Sequence, residues 1–213
     1  MLDREFIIVV FILHERSVKM TQKEILVLQM REIRNEFTDA LADLTQEQLA
    51  KKHIGDHNPI GWIACHCLNN FNFFIHYCQT KSSILSDGGI YEKLGAYGHE
   101  APTEDNLPPD LSDLPDVVNK VFGVCIELIE ALDEEDFDKP ALYWHHEHYE
   151  SVAGNCVRVI NHSNAHLRQI WMLRGAFGDN EHWPLQTLYK KPNEEQGNFY
   201  VPDRETILAN RKK

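Results

Sequence analysis

The sequence predicts an all-α domain, a four-helix bundle with a long crossover loop and an irregular C-terminal tail. Three observations carry that expectation. Four stretches place apolar residues three and four apart over several turns, the pattern of a helix with one buried face. One Gly- and Pro-rich segment, residues 81–112, separates the second stretch from the third and reads as the crossover. Runs that alternate apolar and polar residues, as strands require, are scarce. At 213 residues, with 43% hydrophobic and 25% charged side chains, the chain has the size and balance of a globular domain with a full core.

In chain order, FIIVVFIL at Phe6 to Leu13 is too short to span a bilayer, and the acidic MLDRE before it makes a poor signal-peptide head. Residues 1–19 are therefore expected to be an N-terminal extension. Met20 before TQKE resembles a second start, which would leave that extension non-native. The bundle is assigned to residues 20–178. Thr21 and Glu24 make a capping box, and Leu26, Met30, Ile33, Phe37, Leu41 and Leu44 continue a helix from Thr21 to Leu44. A second capping box, Thr45 with Gln48, opens a short helical turn that stops before Gly55.

Asn58 as N-cap and Pro59 at the first helical position open the next helix, running to about Gln79. Its inner stripe is expected to contain Trp62 or Ile63, His66, Asn70, Phe73 and Tyr77. After the crossover, Asp113 and Pro115 start a helix with Val117, Val121, Cys125, Leu128 and Leu132 inward, ended by the acidic residues 133–138 and Pro140. The last helix runs from Val152 to Phe177 and closes at Gly178. The tail, residues 179–213, holds Pro184, Pro192 and Pro202 and is expected to pack on the bundle. No internal repeat and no linker between two cores is visible.

Charge and motifs remove several functions. A net charge of -12, from 21 basic against 33 acidic side chains, repels a phosphate backbone, so nucleic acid is not an expected partner. Five cysteines, Cys65, Cys67, Cys78, Cys125 and Cys156, are odd in number and form no CxxC pair, which favours free thiols in a reducing, cytoplasmic setting. The sequence has no P-loop, GxGxxG, HExxH or GxSxG. No His has Glu three residues before it, so a ferritin-like di-iron centre is excluded.

The segment VINHSNAHLRQIWMLRG of the last helix carries the strongest chemical signal. His162, His166 and Gln169 are four and then three residues apart and share one stripe. Neutral imidazoles preset on a rigid helix can grip a metal ion, although such a pair also suits a solvated face or a hydrogen-bonded core. If His66 on the second helix faces them, three nitrogens result, and three protein ligands leave a position open for water or substrate. Gln169 would then orient a metal-bound water or a ligand imidazole. Cys65 and Cys67 flank His66, but neighbouring helical residues diverge by about 100° and cannot chelate with it. His53 and His57 straddle Gly55 ahead of Pro59 and read as loop; His145, His146 and His148 read as a polar loop or pocket rim with a possible fourth ligand.

NPIGWIACHCLNNFNFF and VINHSNAHLRQIWMLRG together resemble the DinB/YfiT-like superfamily of metalloenzymes. There a helix with a Trp-containing start carries a lone His, and the last bundle helix carries His-x-x-x-His followed by Gln. The resemblance covers about Met20 to Gly178 and implies that His66, His162 and His166 are a metal triad. It departs at one place: relatives commonly read His-Arg-Gly-Gln, whereas this chain has His166-Leu167-Arg168-Gln169, keeping the Gln but losing the small residue.

Known relatives transfer low-molecular-weight thiols to electrophiles or isomerise substrates with a thiol cofactor. The resemblance thus implies a thiol-dependent S-transferase acting on a small molecule, with zinc, nickel, iron or manganese and a low-molecular-weight thiol as co-substrate. A metal-dependent hydrolase and a non-catalytic metal-binding or stress-response protein are the alternatives. No membrane partner is expected; a homodimer is compatible with the bundle.

Overall fold

The computed structural model of the protein describes residues 20–52, 57–85, 89, 91, 94, 110–141 and 150–178. The expected extension at residues 1–19, His53, the loop carrying His145, His146 and His148, and the tail at residues 179–213 lie outside the described residues. The chain divides into two compact units, Met1–Phe177 and Gly178–Lys213, and all the helices described below belong to the first.

Helix α1, Gln22–Leu41, begins at the expected capping box, with Glu24 N–H donating to Thr21 Oγ1 (3.2 Å) and Thr21 N–H to Glu24 Oε2 (2.7 Å). It ends before Leu44, because Ala42 turns extended and Asp43 takes a left-handed φ of 58°. Leu44 packs on the core from outside the helix. Helix α2, Gln46–Ala50, has the second capping box, Gln48 N–H to Thr45 Oγ1 (3.2 Å) and Thr45 N–H to Gln48 Oε1 (2.9 Å).

Helix α3, Ile60–Asn70, starts one residue later than the sequence suggested. Pro59 has an extended ψ of 152° and is itself the N-cap, its carbonyl accepting from Ile63 N–H, so Asn58 does not cap. The helix continues into a π-helical segment, Phe71–Tyr77, and the α-helical turn α4, Cys78–Thr80, before Lys81 turns left-handed with φ 60°. The wider π turn shifts the buried stripe. Ile63, Cys67 and Asn70 lead to Phe71, Phe74, Ile75 and Cys78, while the expected core residues Phe73 and Tyr77 are only partly buried. Phe71 carbonyl accepts from Cys125 Sγ (3.4 Å) and Phe74 carbonyl from Asn155 Nδ2 (3.0 Å).

Helix α5, Leu114–Ala131, buries Leu114, Val118, Val121, Phe122, Cys125, Ile126 and Ile129; Val117 and Leu128, expected inward, and Leu132 beyond the helix are partly buried. The stripe is turned because α5 packs on α1 and on the π segment together. Phe122 stacks on Phe71 (centroids 3.9 Å apart) and meets Phe37 edge-on at 5.5 Å. A short antiparallel ladder, β1 (Pro140–Ala141) with β2 (Glu150–Ser151), pairs Pro140 with Ser151 and leads into helix α6, Val152–Ala176. Ser151 caps α6 by accepting from Gly154 N–H (3.1 Å), and Gly178, φ 85°, lies just beyond its C-terminus.

Two cations fix the order of the helices. Lys23 Nζ near the start of α1 donates to the carbonyls of Glu130 (3.0 Å) and Leu132 (2.6 Å) at the end of α5, so these helices run antiparallel. Arg174, 2% exposed near the end of α6, donates from Nη1 to the carbonyls of Ala40 (3.0 Å) and Ala42 (2.8 Å) at the end of α1. A buried guanidinium is tolerated there because it meets the orphan carbonyls and negative dipole end of a helix. The crossover is tied to α3 and its π extension: Asn69 Nδ2 donates to the carbonyls of Tyr91 (2.8 Å) and Leu94 (3.0 Å), and Asn72 Oδ1 accepts from Ile84 N–H (2.8 Å). Gly61 lets the start of α3 lie against Leu111 and α2, since a Cβ there would lie 2.7 Å from Leu111 Cδ1 and 3.1 Å from Leu49 O. Among the described residues no helix is long and apolar enough to cross a membrane.

Arg174→Met leaves those carbonyls buried without their donor and is expected to lower unfolding stability by about 3 kcal/mol. Urea denaturation followed by circular dichroism measures this, and a loss under about 0.5 kcal/mol, the size of an ordinary surface change, would contradict it.

Candidate metal centre

Helices α3 and α6 lie side by side and antiparallel: Asn155 near the start of α6 reaches Phe74 beyond α3, whereas His162, two turns further on, reaches back to His66. On α6 the i, i+4 spacing stacks His162 and His166 with ring centroids 4.5 Å apart. The structure brings together the three histidines picked out in the sequence. Their ligand-capable nitrogens all lie within 4.8 Å of one another, and all three side chains are half-buried.

Within the cluster His162 Nε2 stands 2.8 Å from His66 Nε2, and the His66 ring lies 5.0 Å from that of His166. Trp62, one turn before His66, stacks on its ring at 5.1 Å with 6° between the planes, fixing one side of the imidazole. Asn70, one turn after, points Nδ2 at both facing nitrogens, 3.3 Å from each. Gln169 Oε1 lies 2.7 Å from His166 Nδ1. An amide oxygen only accepts, so Nδ1 carries the proton and the lone pair of His166 is on Nε2.

Electrostatics keep the rings on α6 neutral. Burial, reinforced by the charges that His166, His66 and Arg158 can carry, pushes His162 down to about 4. Burial also lowers His166, against a smaller upward pull from the Gln169 hydrogen bond. Neutral imidazole is the form that binds metal, and a donor set of three nitrogens within 4.8 Å of one another fits a divalent ion. The cysteines offer no competing ligand. Cys65 and Cys67 are fully buried beside His66, and burial pushes both thiols, like Cys125, far up, with Cys156 raised to about 12. His57 is exposed and non-helical, as its place before Pro59 suggested.

Comparison with known proteins agrees with this architecture. The model of the DinB superfamily matches residues 29–170, which includes α3, α5, all three histidines and most of α1 and α6. The chain belongs to the DinB superfamily. Among solved structures it is similar to YfiT from Bacillus subtilis, described as "a probable metal-dependent hydrolase with an unusual four-helix bundle topology", with a TM-score of 0.55 and 15% identity over 76% of this chain and 91% of that one. At that identity the likeness speaks for the fold. No curated protein matches the chain.

Two features of this DinB-superfamily cluster were not assigned from the sequence. The sequence puts Asn70 on the core stripe, four residues after His66 and therefore on the same face, but does not announce a role for it. The Trp62 stack follows from the same spacing, read in the other direction.

Gln169→Leu removes the acceptor on His166 Nδ1 and is expected to weaken zinc binding by roughly ten- to a hundredfold, the usual cost of losing a partner behind a ligand. Competition against a chromophoric chelator measures it; unchanged affinity would show that this contact has no bearing on the cluster.

Proposed function

We propose that the chain is a metal-dependent enzyme acting on a small molecule, with His66, His162 and His166 as the ligands of one divalent ion. The observation that carries this is the convergence of three half-buried imidazole nitrogens from two helices. Three protein ligands leave the ion open to a further one, and partial exposure gives a small molecule a way in. Zinc, nickel, iron and manganese all suit imidazole to different degrees, and the donor set alone does not choose among them.

When bound, such an ion lowers the pKa of a coordinated thiol or water and so supplies an anionic nucleophile near neutral pH. The chain's own residues supply the arrangement. His162 and His166 are held neutral by burial, Gln169 fixes the His166 tautomer, and Trp62 supports the His66 ring. We assign the finer activity as S-transfer from a low-molecular-weight thiol, as the family resemblance implied. That thiol comes from solution, because the five protein thiols are buried and hard to ionise. Hydrolysis by a metal-activated water is the second reading, favoured by the description of YfiT.

Protein purified without a His-tag is expected to carry about one divalent ion per chain by elemental analysis, and His66→Ala, His162→Ala and His166→Ala to lose both the ion and turnover. Full metal content in all three variants would sink the assignment. Turnover of electrophilic substrates only when a thiol is added supports S-transfer, whereas turnover of esters or amides without thiol identifies the hydrolase.

A further inference from the structure

We propose that Asn70 is a positioning residue of the metal centre, holding His66 and His162 toward one point while keeping the place beside them from becoming a fourth protein ligand. This rests on the reading of the three histidines as ligands and adds the device that leaves the site open.

Asn70 is 4% exposed on α3, one turn beyond His66. A buried amide is a poor choice for a helix interior unless its hydrogen bonds are made, since it costs more to desolvate than an apolar side chain and has weaker helix propensity. Its amide nitrogen has three neighbours. His66 backbone O lies 2.8 Å away, and the Nε2 atoms of His66 and His162 each lie 3.3 Å away. The carbonyl only accepts, so the atom facing all three is the nitrogen and the amide oxygen is turned aside. One hydrogen goes to the carbonyl. The other points to where the two rings meet, with the nitrogen 3.3 Å from each Nε2, so the amide, anchored on the His66 carbonyl, backs both imidazoles at that point.

The same geometry decides how many ligands the chain can offer. An amide nitrogen has its lone pair delocalised into the carbonyl and does not bind divalent ions, so this buried group beside both imidazoles does not complete the coordination shell. Aspartate has the same shape, and at this position it would put an anionic oxygen where the nitrogen now stands, within reach of an ion held by His66 and His162. A four-ligand shell is the arrangement of a closed, structural site; three leave room for an outside molecule. Asn70 thus combines two effects that neither leucine nor aspartate has together: a polar anchor to the His66 carbonyl that backs both rings, and an amide turned so that its nitrogen, not its oxygen, faces them.

The test compares the full chain with its Asn70→Asp, Asn70→Leu and His162→Ala variants, using zinc affinity by chelator competition and the visible spectrum of the cobalt(II) form with and without azide. Asn70→Asp is expected to bind zinc at least about tenfold more tightly and to lose the azide response; Asn70→Leu is expected to bind at least about tenfold more weakly with helix content unchanged. Asn70→Leu with wild-type affinity, or Asn70→Asp with wild-type affinity and azide response, would overturn the proposal. Should Asn70→Leu not fold, Asn70→Asp decides alone. The His162→Ala control separates two kinds of failure. Zinc binding that is absent from the wild type, or unaffected in His162→Ala, defeats the metal centre and the proposal with it; binding lost only in His162→Ala, with both Asn70 variants unaltered, defeats the Asn70 proposal alone.

Discussion

The 2.8 Å approach of His66 Nε2 to His162 Nε2 is the constraint around which the rest of the bundle is arranged. Two such nitrogens accommodate that separation when one ring donates its N–H to the lone pair of the other, or when both lone pairs turn to a shared cation. The antiparallel packing of α3 on α6 imposes the separation, and partial burial keeps His162 and His166 from relieving it by taking up protons near neutral pH. The cluster therefore gathers three imidazoles in one half-buried place, with the two on α6 biased toward the neutral form.

Three asparagines from one stretch connect this cluster to the crossover. Asn69 binds the carbonyls of Tyr91 and Leu94, Asn70 faces the imidazoles, and Asn72 binds Ile84 and Ser83 at the start of the crossover. Neighbouring helical positions diverge by about 100°, so consecutive asparagines serve different surroundings. The π segment then turns the helix so that the carbonyls of Phe71 and Phe74 meet donors from α5 and α6. Local helix geometry and the placing of the cluster are thus consequences of one run, CHCLNNFNFF. Arg174 and Lys23 hold the frame at its ends, each against the carbonyl end of a neighbouring helix.

Periodicity and capping made the frame readable. Thr21 with Glu24 and Thr45 with Gln48 form the boxes their spacing announced, and α6 spans the residues its pattern and Gly178 bound. The histidine spacing on α6 needed only helical geometry, and the partner on α3 was visible as a lone His in an apolar stretch. What escaped has physical causes. A π segment has no spacing signature of its own, so Phe73 and Tyr77 were assigned inward where Phe71, Phe74 and Ile75 are buried. On α5 the expected Val121 and Cys125 are buried, but a helix between two neighbours buries a broader band than one stripe, which adds Leu114, Val118, Phe122, Ile126 and Ile129. Asn70 went unassigned because its meaning depends on His162, 92 residues away, which no local pattern encodes.

The central claim, one ion held by three imidazoles with a position left open, is tested most directly by X-ray absorption at the metal edge of the zinc-loaded chain. The account predicts three imidazole nitrogens at about 2.0–2.1 Å with at least one further light-atom ligand from solvent. A sulfur shell at about 2.3 Å, or fewer than three imidazoles, would contradict it.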